Sequence, residues 1–361
     1  MMMSKDATVS TLFAPRAAPT VAVLMLGSFS EQGGVRALSA DVADRLNRRD
    51  WIVVRASTRA GRTARLADML ITAYRRRADY AIAHIDVFSG RAFLWAEAAA
   101  WLLRRIGKPY ILTLRGGNLP TFAQRWPGRT RALLTSAAAV TAPSRYLQEL
   151  MRPFRADVRV LPNGVESGGT AFRLRAEPRP QLIWLRRFHE IYNPALAPAV
   201  LASLGQRFAL AQLTMIGPDA GDGSLARTRE AARALGVADR VFFEGPIPKH
   251  EVPNRLAAAD IFLNTTSVDN SPVTMLEAMA SGLCVVSTCV GGIPYLVEDG
   301  KTALLVPPSD PAAMAEAVRR LIEEPGLGAR LSAAGRRQAA EADWATVIAE
   351  WEVLFKSVVC Q

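Results

Sequence analysis

The sequence is poor in cysteine and has no long uninterrupted hydrophobic run, and each shortage excludes a class of protein. The three cysteines, Cys284, Cys289 and Cys360, form no C-x-x-C pair in the 361 residues, so neither a disulfide-stabilised scaffold nor a zinc site is expected. No apolar run reaches the roughly 18 residues that a membrane span needs. The first 20 residues contain charged side chains and no apolar centre, unlike a secretory signal. We therefore expect a cytoplasmic protein.

The remaining composition is typical of a large globular protein. Half of the residues are hydrophobic and 21% are charged, so the chain can bury sizeable cores, and no segment repeats at a fixed spacing. At about 150 residues per domain, this length predicts two domains.

The net charge of +11 is unevenly distributed along the chain. The first 175 residues contain 27 basic and 12 acidic residues, which gives +15, and the rest contain 17 and 21, which gives −4. No nucleic-acid-binding motif accompanies this charge, so no nucleic-acid partner is expected. An anionic membrane or a phosphorylated acceptor would suit such a surface, and an ordinary solvated arginine-rich surface explains it equally well. The arginines concerned are Arg55, Arg59, Arg62, Arg65, Arg75, Arg76, Arg77, Arg104 and Arg105.

Short β-branched segments alternate with amphipathic helical segments along the whole chain, which is typical of parallel sheets covered by helices. A stretch rich in Gly, Pro and charged residues, 166–180, is predicted to be a linker. We therefore predict an α/β protein with two doubly wound domains that face each other across a cleft, where ligands are expected to bind. The predicted strands are residues 21–26, 51–56, 80–85, 110–114, 138–143, 158–162, 181–185, 212–217, 241–245, 260–266, 283–288 and 302–307.

The segment 260–288 carries the most chemical information, and its pattern predicts a strand, a loop, a helix and a second strand. Ser271 is predicted to be the N-cap of the helix, Pro272 its first residue and Gly282 the residue at which it ends. The amino end of this helix is then expected to face the cleft.

That amino end has features suited to a nucleotide. The backbone N–H groups of Val273 and Thr274, together with the helix dipole, form an anion site suited to phosphates. Glu277 is a single carboxylate in an apolar helix and needs a hydroxyl or N–H partner, for which a ribose would serve. Asp269, in the preceding loop, can accept hydrogen bonds from sugar hydroxyls. A backbone donor to Glu277 and a solvated Asp269 explain the same pattern equally well.

The chain resembles the retaining, nucleotide-sugar-dependent glycosyltransferases of family 4, which have the two-domain GT-B fold. The resemblance covers most of the chain and implies a Rossmann-like acceptor-binding domain over 1–175, a Rossmann-like donor-binding domain over 176–343 and a helix over 344–361 that crosses back to the first domain. It is strongest in VLPNGVE, LTMIG, VADRVFFEGPIP, AAADIFLNTT and DNSPVTMLEAMASGLCVVSTCVGGIPYLVEDGKTALLVPPSD.

The resemblance implies roles for individual residues. By position, Asp269 contacts the donor sugar, Glu277 contacts the ribose hydroxyls and Arg187 binds the diphosphate, and these three are the predicted catalytic residues. Gly33 and Gly34 match a turn whose backbone approaches the phosphates and the acceptor. The other predicted substrate-binding residues are His84, Arg115, Gly116, Asn118, Gly217, Phe243, Ser271, Pro272, Val273 and Thr274.

One further residue is predicted from its place in the chain. His84 ends the predicted third strand and is expected to face the cleft. The resemblance implies that Phe243 to Gly245 lie near the position of the nucleobase.

The chain departs from the family pattern at the donor site. Asp269 stands where glutamate is usual, and Tyr192 and Asn193 stand where lysine and glycine are usual. Tyr192 therefore removes one cation from the group that binds the diphosphate. Arg115, at a position usually held by histidine, is expected to restore positive charge from the other domain.

The implied activity is retaining transfer of a sugar from a nucleotide-diphosphate sugar to a lipid-linked or polysaccharide acceptor in surface glycan biosynthesis. We expect peripheral contact with an anionic membrane through the basic N-terminal domain. No cofactor and no metal are expected, because the chain has no Asp-x-Asp triplet like that of metal-dependent glycosyltransferases. A non-catalytic binding subunit and a sugar-nucleotide epimerase are the alternatives. A glycoside hydrolase is disfavoured, since no second acid pair stands out.

Overall fold

The computed structural model describes residues 22–27, 29, 37–59 and 61–360, and its strands form two parallel sheets. The first sheet has the order β2-β1-β3-β4-β5-β6 and the second the order β12-β11-β10-β7-β8-β9. Each predicted strand coincides with one of these, which confirms the predicted α/β class. The strands are β1 (Ala22–Leu26), β2 (Ile52–Ala56), β3 (Ile82–Val87), β4 (Tyr110–Leu114), β5 (Ala139–Ala142), β6 (Arg159–Val160), β7 (Gln181–Leu185), β8 (Gln212–Ile216), β9 (Val241–Glu244), β10 (Ile261–Asn264), β11 (Cys284–Thr288) and β12 (Leu304–Val306).

Helices cover both faces of each sheet, as parallel sheets require. Those of the N-terminal half are α1 (Leu38–Asn47), α2 (Arg62–Arg75), α3 (Phe93–Arg105), α4 (Leu119–Arg125), α5 (Pro127–Thr135) and α6 (Arg145–Met151). Those of the C-terminal half are α7 (Leu196–Ser203), α8 (Ser224–Ala234), α9 (Val252–Ala258), α10 (Val273–Ala280), α11 (Ile293–Leu296), α12 (Pro311–Glu323), α13 (Leu327–Glu341) and α14 (Trp344–Val359).

The last helix, α14, packs against the first sheet. Alternate residues of β1 point to opposite faces, and Val23 and Met25 share a core with Trp351 and Phe355 of α14. A side chain at Gly164 would overlap the indole of Trp344, so this glycine allows α14 to start close against the end of the first half. The predicted boundaries at residues 175 and 343 stay predictions.

The strand order of the second sheet locates its ligand crevice. The chain runs outward in one direction from β7 through β8 to β9 and in the other direction from β10 through β11 to β12. Ligands of doubly wound sheets bind at the carboxyl ends of the strands where the order reverses, here β7 and β10. The corresponding reversal in the first sheet lies between β1 and β3. Gly33 and Gly34, in the segment after β1, lie outside the described residues.

The predicted linker packs on the second half and anchors the end of α10 opposite the crevice. Arg175 is buried and donates hydrogen bonds to the carbonyl oxygens of Ser281, the C-cap of α10, and of Ala259, the latter at 2.8 Å. Gly282 follows with φ of +83°, so the helix ends where predicted, in the left-handed region that favours glycine.

Candidate functional site

A cavity of about 460 Å³ opens at the carboxyl end of the second sheet. The residues that follow β7, β8 and β9 form its floor, and the amino end of α10 forms one wall. It therefore occupies the crevice that the strand order locates. Its lining consists of Leu185, Arg186, Arg187, Tyr192, Ile216, Gly217, Pro218, Pro246, Ile247, Val252 and Thr274.

Gly217 lets the backbone segments after β7 and β8 lie side by side beneath this cavity. Its φ is +148°, and a Cβ there would overlap the carbonyl oxygen of Arg186. The Arg186 N–H donates to the Ile216 carbonyl oxygen at 3.0 Å. A larger residue at 217 would push these two segments apart and disturb the cavity floor.

Helix α10 begins one residue later than predicted. Its N-cap is Pro272, which offers no side-chain acceptor, and the helix starts at Val273. The prediction that Ser271 is the N-cap is wrong, because Ser271 is buried and its carbonyl oxygen accepts a hydrogen bond from Asn163 Nδ2 at 3.0 Å. Within the described part of the chain, the N–H groups of Val273 and Thr274 have no acceptor. The predicted anion-binding end of the helix is thus present and uncapped.

Two buried polar atoms on one face of α10 have no hydrogen-bond partner among the described residues: Thr274 Oγ1 and Glu277 Oε2. Residues three apart lie on the same side of a helix, so both atoms face the same region. The other oxygen of Glu277 forms an ion pair with Lys249, whose side chain is two-thirds exposed. Buried polar groups in folded proteins are nearly always hydrogen-bonded, and their isolation here is typical of a site that binds a polar ligand.

Arg187 lies on the cavity wall with its side chain exposed, and it has no ion pair or hydrogen bond with any described residue. Arg186 beside it is mostly buried and forms an ion pair with Asp269. Burial raises the pKa of the Asp269 carboxyl above its ordinary value, although the nearby Arg186 charge opposes that shift. The structure thus brings Arg187, Asp269 and Glu277 to one end of the second sheet.

The Asp269 loop is held in place by a pair of glycines that the sequence analysis did not single out. Side chains at Gly291 and Gly292 would overlap the carbonyl oxygens of Asp269 and Asn270. The Gly292 N–H donates to the Asp269 carbonyl oxygen at 3.0 Å. The adjacent glycines in the segment TCVGGIPY, directly after a predicted strand, were the available signal for this close backbone contact.

Arg115 faces the same cleft from the first half of the chain but is not a free cation. Its Nε donates to Asp86 Oδ1 and its Nη1 to Asn163 Oδ1, both at 2.9 Å, and its side chain is 11% exposed. Burial alone would raise the pKa of the Asp86 carboxyl, but the Arg115 charge and hydrogen bonds lower it below the ordinary value. The expectation that Arg115 restores the missing positive charge is therefore corrected, because Asp86 already neutralises it.

His84 does not face the cleft, so that prediction is wrong. Strand β3 continues to Val87, which leaves His84 in the middle of the strand and buried. Its ring packs edge-on against Trp351 of α14 at 5.1 Å, and its Nε2 is 2.7 Å from Thr113 Oγ1. Burial lowers its pKa to about 4, with Asp86 and Arg115 acting in opposite directions. His84 is a core residue of the first half.

Phe243 also lies away from the cavity. It packs with the core on the opposite face of the second sheet, where its ring is 6.1 Å from that of Phe188. The segment after β9 contributes Pro246 and Ile247 to the cavity instead. Alternate residues of a strand point to opposite faces of its sheet, and Phe243 points to the face opposite the cavity.

The remaining predicted residues of the first half lie opposite the Asp269 loop. Gly116 and Asn118 are exposed on either side of Gly117, where an added Cβ would come within 2.9 Å of Val268 Cγ1. Ser144 Oγ donates a hydrogen bond to Asn270 Oδ1 and so joins the two halves across the cleft.

Two kinds of feature are missing from the described part of the chain. No group of three or more His, Cys, Asp or Glu side chains is placed there to hold a metal ion. No described helix is both long enough and apolar enough to cross a membrane.

Two family models match the chain in sequence. The model for glycosyl transferases group 1 matches residues 179–324, and the model for glycosyltransferase family 4 matches residues 32–168.

The chain is similar to curated relatives over most of its own length. It is 29% identical over 274 residues to a D-inositol 3-phosphate glycosyltransferase of Streptomyces avermitilis, covering 70% of this chain and 58% of that protein. It is 29% identical over 261 residues to a GDP-mannose-dependent alpha-(1-6)-phosphatidylinositol monomannoside mannosyltransferase of Mycobacterium tuberculosis, covering 70% and 62%. The matched part thus spans less than two thirds of these relatives.

Solved structures share the whole fold. Sucrose-phosphate synthase from Thermosynechococcus elongatus superposes with a TM-score of 0.79 at 20% identity, covering 94% of this chain and 99% of that one. Anabaena HepE in complex with UDP and glucose superposes with a TM-score of 0.74 at 18% identity, covering 93% and 100%. The two parallel six-stranded sheets and these likenesses identify the GT-B fold.

Proposed function

The chain belongs to the family 4 glycosyltransferases of group 1, and from that premise we propose that it transfers a sugar from a nucleotide-diphosphate sugar to a lipid-linked or polysaccharide acceptor. The observation that carries the proposal is the cavity beside α10. There an unpaired Arg187 and the uncapped N–H groups of Val273 and Thr274 supply positive charge and donors. A nucleotide diphosphate is the ligand whose charge and length suit this arrangement.

The unpartnered atoms on α10 fit the rest of such a donor. Glu277 Oε2 can accept hydrogen bonds from ribose hydroxyls, and Thr274 Oγ1 can donate to a phosphate oxygen or to the ribose. Asp269 lies in the neighbouring loop and is assigned to the donor sugar. The site is selective for a ligand that satisfies all these groups, because any other ligand leaves some of them buried and unpaired.

In the proposed reaction, the bond between the anomeric carbon and the phosphate oxygen breaks, and its electron pair goes to the diphosphate. Arg187 and the α10 N–H groups stabilise the negative charge that develops there. The acceptor hydroxyl forms the new bond from the same face of the sugar, and its proton passes to the leaving diphosphate, so the anomeric configuration is retained. We propose that this reaction needs no metal, because arginine and the helix end supply the positive charge.

We propose that the acceptor carries an inositol phosphate, another lipid-linked head group or a growing glycan, as the names of the relatives suggest. A lipid-linked acceptor would place the protein at the cytoplasmic face of a membrane. The α2–α3 surface, defined by the exposed residues Ile71, Tyr74, Leu94 and Trp101, supports peripheral binding there.

The α2–α3 surface combines apolar and cationic groups. A shallow apolar cavity of about 340 Å³ lies on it between Ile71, Tyr74 and Trp101. Arg105 lies 5.3 Å above the Trp101 ring, and Arg75 lines the same cavity. Apolar rings flanked by arginine suit the boundary of an anionic membrane, where the rings enter the head-group layer and the guanidinium groups contact phosphates.

The donor assignment is tested by the thermal stability of the protein with UDP, GDP, ADP and their sugar conjugates. A ligand at about 100 times its dissociation constant adds roughly 2.7 kcal/mol to the native state. We expect one base to stabilise the protein. No stabilisation by any of them contradicts the donor site, and release of a new sugar isomer without an acceptor would indicate an epimerase.

Membrane binding is tested by sedimentation with vesicles that contain or lack phosphatidylglycerol. We expect binding only to the anionic vesicles, release as the salt concentration rises, and weaker binding by the double variant Ile71→Ser/Trp101→Ser. Leu210→Ser is the matched control, because Leu210 is an exposed leucine of the other half. Equal binding by Ile71→Ser/Trp101→Ser and the control would contradict the role of the α2–α3 surface.

A further inference from the structure

Arg186 lies on the cavity wall between an aromatic ring and a carboxylate. Its guanidinium carbon is 4.3 Å from the centre of the Tyr192 ring, and its Nη2 forms an ion pair with Asp269. Its Nε–H has no acceptor among the described residues, although the side chain is only 13% exposed. A buried guanidinium with an unused donor, facing a cavity, has capacity for one more anionic partner.

Tyr192 is held in a fixed place beside Arg186. Its carbonyl oxygen accepts a hydrogen bond from Thr265 Oγ1 at 2.7 Å. The carbonyl oxygen of the preceding Ile191 accepts one from the Ser267 N–H at 2.8 Å. The next residue, Asn193, has φ of +42°, a left-handed conformation that asparagine tolerates better than most residues. The turn therefore keeps its shape although asparagine replaces the usual glycine.

We propose that Arg186 is the second cation that binds the donor diphosphate and takes the place of the lysine that Tyr192 replaces in this chain. The inference rests on the proposed function, since it concerns the same donor. It follows from position: the Arg186 guanidinium lies over the ring of the residue that stands where the lysine is usual. Arg115, the cation that was expected to contribute from the other domain, is committed to Asp86 and Asn163.

The ion pair with Asp269 leaves other N–H donors of Arg186 available. A guanidinium has five N–H donors in a planar fork, so it can serve a carboxylate and a phosphate at once, which a lysine does less well. The two arginines and Asp269 leave a net charge of +1 beside the cavity. Arg186 thereby links the group that binds the diphosphate to the carboxylate assigned to the donor sugar.

The test measures affinity by calorimetry for the nucleoside diphosphate that the stability panel selects and for the monophosphate of the same base. The principal variant is Arg186→Gln/Asp269→Asn, which removes both charges and so leaves no unpaired buried carboxylate. A sugar-free diphosphate is the probe, so the loss of Asp269 does not remove a sugar contact. We expect its affinity to fall roughly 10- to 100-fold, as for loss of a charge-assisted hydrogen bond, and the monophosphate affinity to change less than about threefold.

A rescue variant separates charge from structure. Adding Tyr192→Lys to the double variant restores a cation at the usual position and is expected to recover most of the lost diphosphate affinity. Arg207→Gln is the control, because Arg207 is 76% exposed and pairs with Glu323 away from the cavity. If the double variant does not fold, Tyr192→Leu serves instead: without the ring that holds Arg186, diphosphate affinity is expected to fall several-fold and monophosphate affinity to stay constant.

Each outcome has a distinct meaning. The role of Arg186 is overturned if the double variant, or Tyr192→Leu in its place, binds the diphosphate like the wild type. If Arg187→Gln binds the diphosphate weakly in the same experiment, the proposed function stands. An equal loss for monophosphate and diphosphate also overturns the role of Arg186, because the defect would then be a general one of the cavity. A wild-type protein that binds no nucleotide overturns the proposed function and this inference together.

Discussion

On the N-terminal side of the cleft, Arg115 donates hydrogen bonds to Asp86 and Asn163 at 2.9 Å each, whereas on the C-terminal side Arg187 has no acceptor among the described residues. Both arginines follow a strand, and both were predicted to meet the same diphosphate. The difference indicates that a charged residue near a cleft is a candidate for ligand binding when it keeps a donor or acceptor that no protein group satisfies.

The strongest test of the C-terminal side is Glu277→Ala. Because Glu277 Oε2 is buried without a partner and is assigned to the ribose, we expect kcat/KM for sugar transfer to fall about 1,000-fold, near 4 kcal/mol, with folding preserved. Transfer assays with the selected donor measure this. Glu316→Ala is the control, since Glu316 only pairs with Arg319 on an exposed helix face; unchanged transfer by Glu277→Ala would refute the site.

On the N-terminal side, Arg115→Gln is expected to act on stability. It leaves the buried Asp86 without its main partner, which costs about 3 kcal/mol of unfolding free energy. Urea unfolding measures the loss, and calorimetry on the folded variant should find nucleotide affinity within about threefold of the wild type. Weakened nucleotide binding with normal stability would mean that Arg115 belongs to the donor site after all.

Arg187→Gln is expected to show the opposite behaviour. Arg187 is exposed and unpaired, so its loss should change the urea midpoint little, but the leaving diphosphate loses one charge-assisted contact. We expect kcat/KM to fall about 30-fold, near 2 kcal/mol. If Arg187→Gln is destabilised like Arg115→Gln, the contrast between the two sides of the cleft fails.

The smallest expected effect is the pH dependence that His84 adds. Its folded-state pKa is about 4, below the ordinary 6.5 of the unfolded chain. Its contribution to stability is therefore present above about pH 6.5 and is lost as the pH falls toward 4. Between pH 7 and pH 5 this amounts to about 2 kcal/mol, and His84→Asn should lack it in urea titrations at both pH values. An identical pH dependence in His84→Asn would contradict the assignment.

The sheet architecture could be predicted because each buried parallel strand is a short β-branched run bounded by turn residues. The same burial on both faces conceals direction: His84 is flanked by the apolar Ala83 and Ile85, so the local pattern shows neither where the strand ends nor which way the ring points. In the edge strand β9 the adjacent Phe242 and Phe243 are equally apolar, so the pattern does not show which of the two faces the core. These errors concern single side chains and leave the topology unchanged.

The site was predictable where its chemistry is local in sequence, as in the helix that carries Thr274 and Glu277. It was not predictable where partners come from distant turns. Lys249 reaches Glu277 from the turn before α9, and Arg186 reaches Asp269 across 83 positions of the chain. No spacing rule links such residues, because only the packing of the second sheet brings them together.

The most direct test of the central claim is a crystal structure of the protein with the nucleoside diphosphate that the stability panel selects. We expect the diphosphate to lie between Arg187 and the N–H groups of Val273 and Thr274, and the ribose hydroxyls to contact Glu277. A diphosphate bound at another surface, or one that leaves Arg187 and the amino end of α10 without contacts, would contradict it.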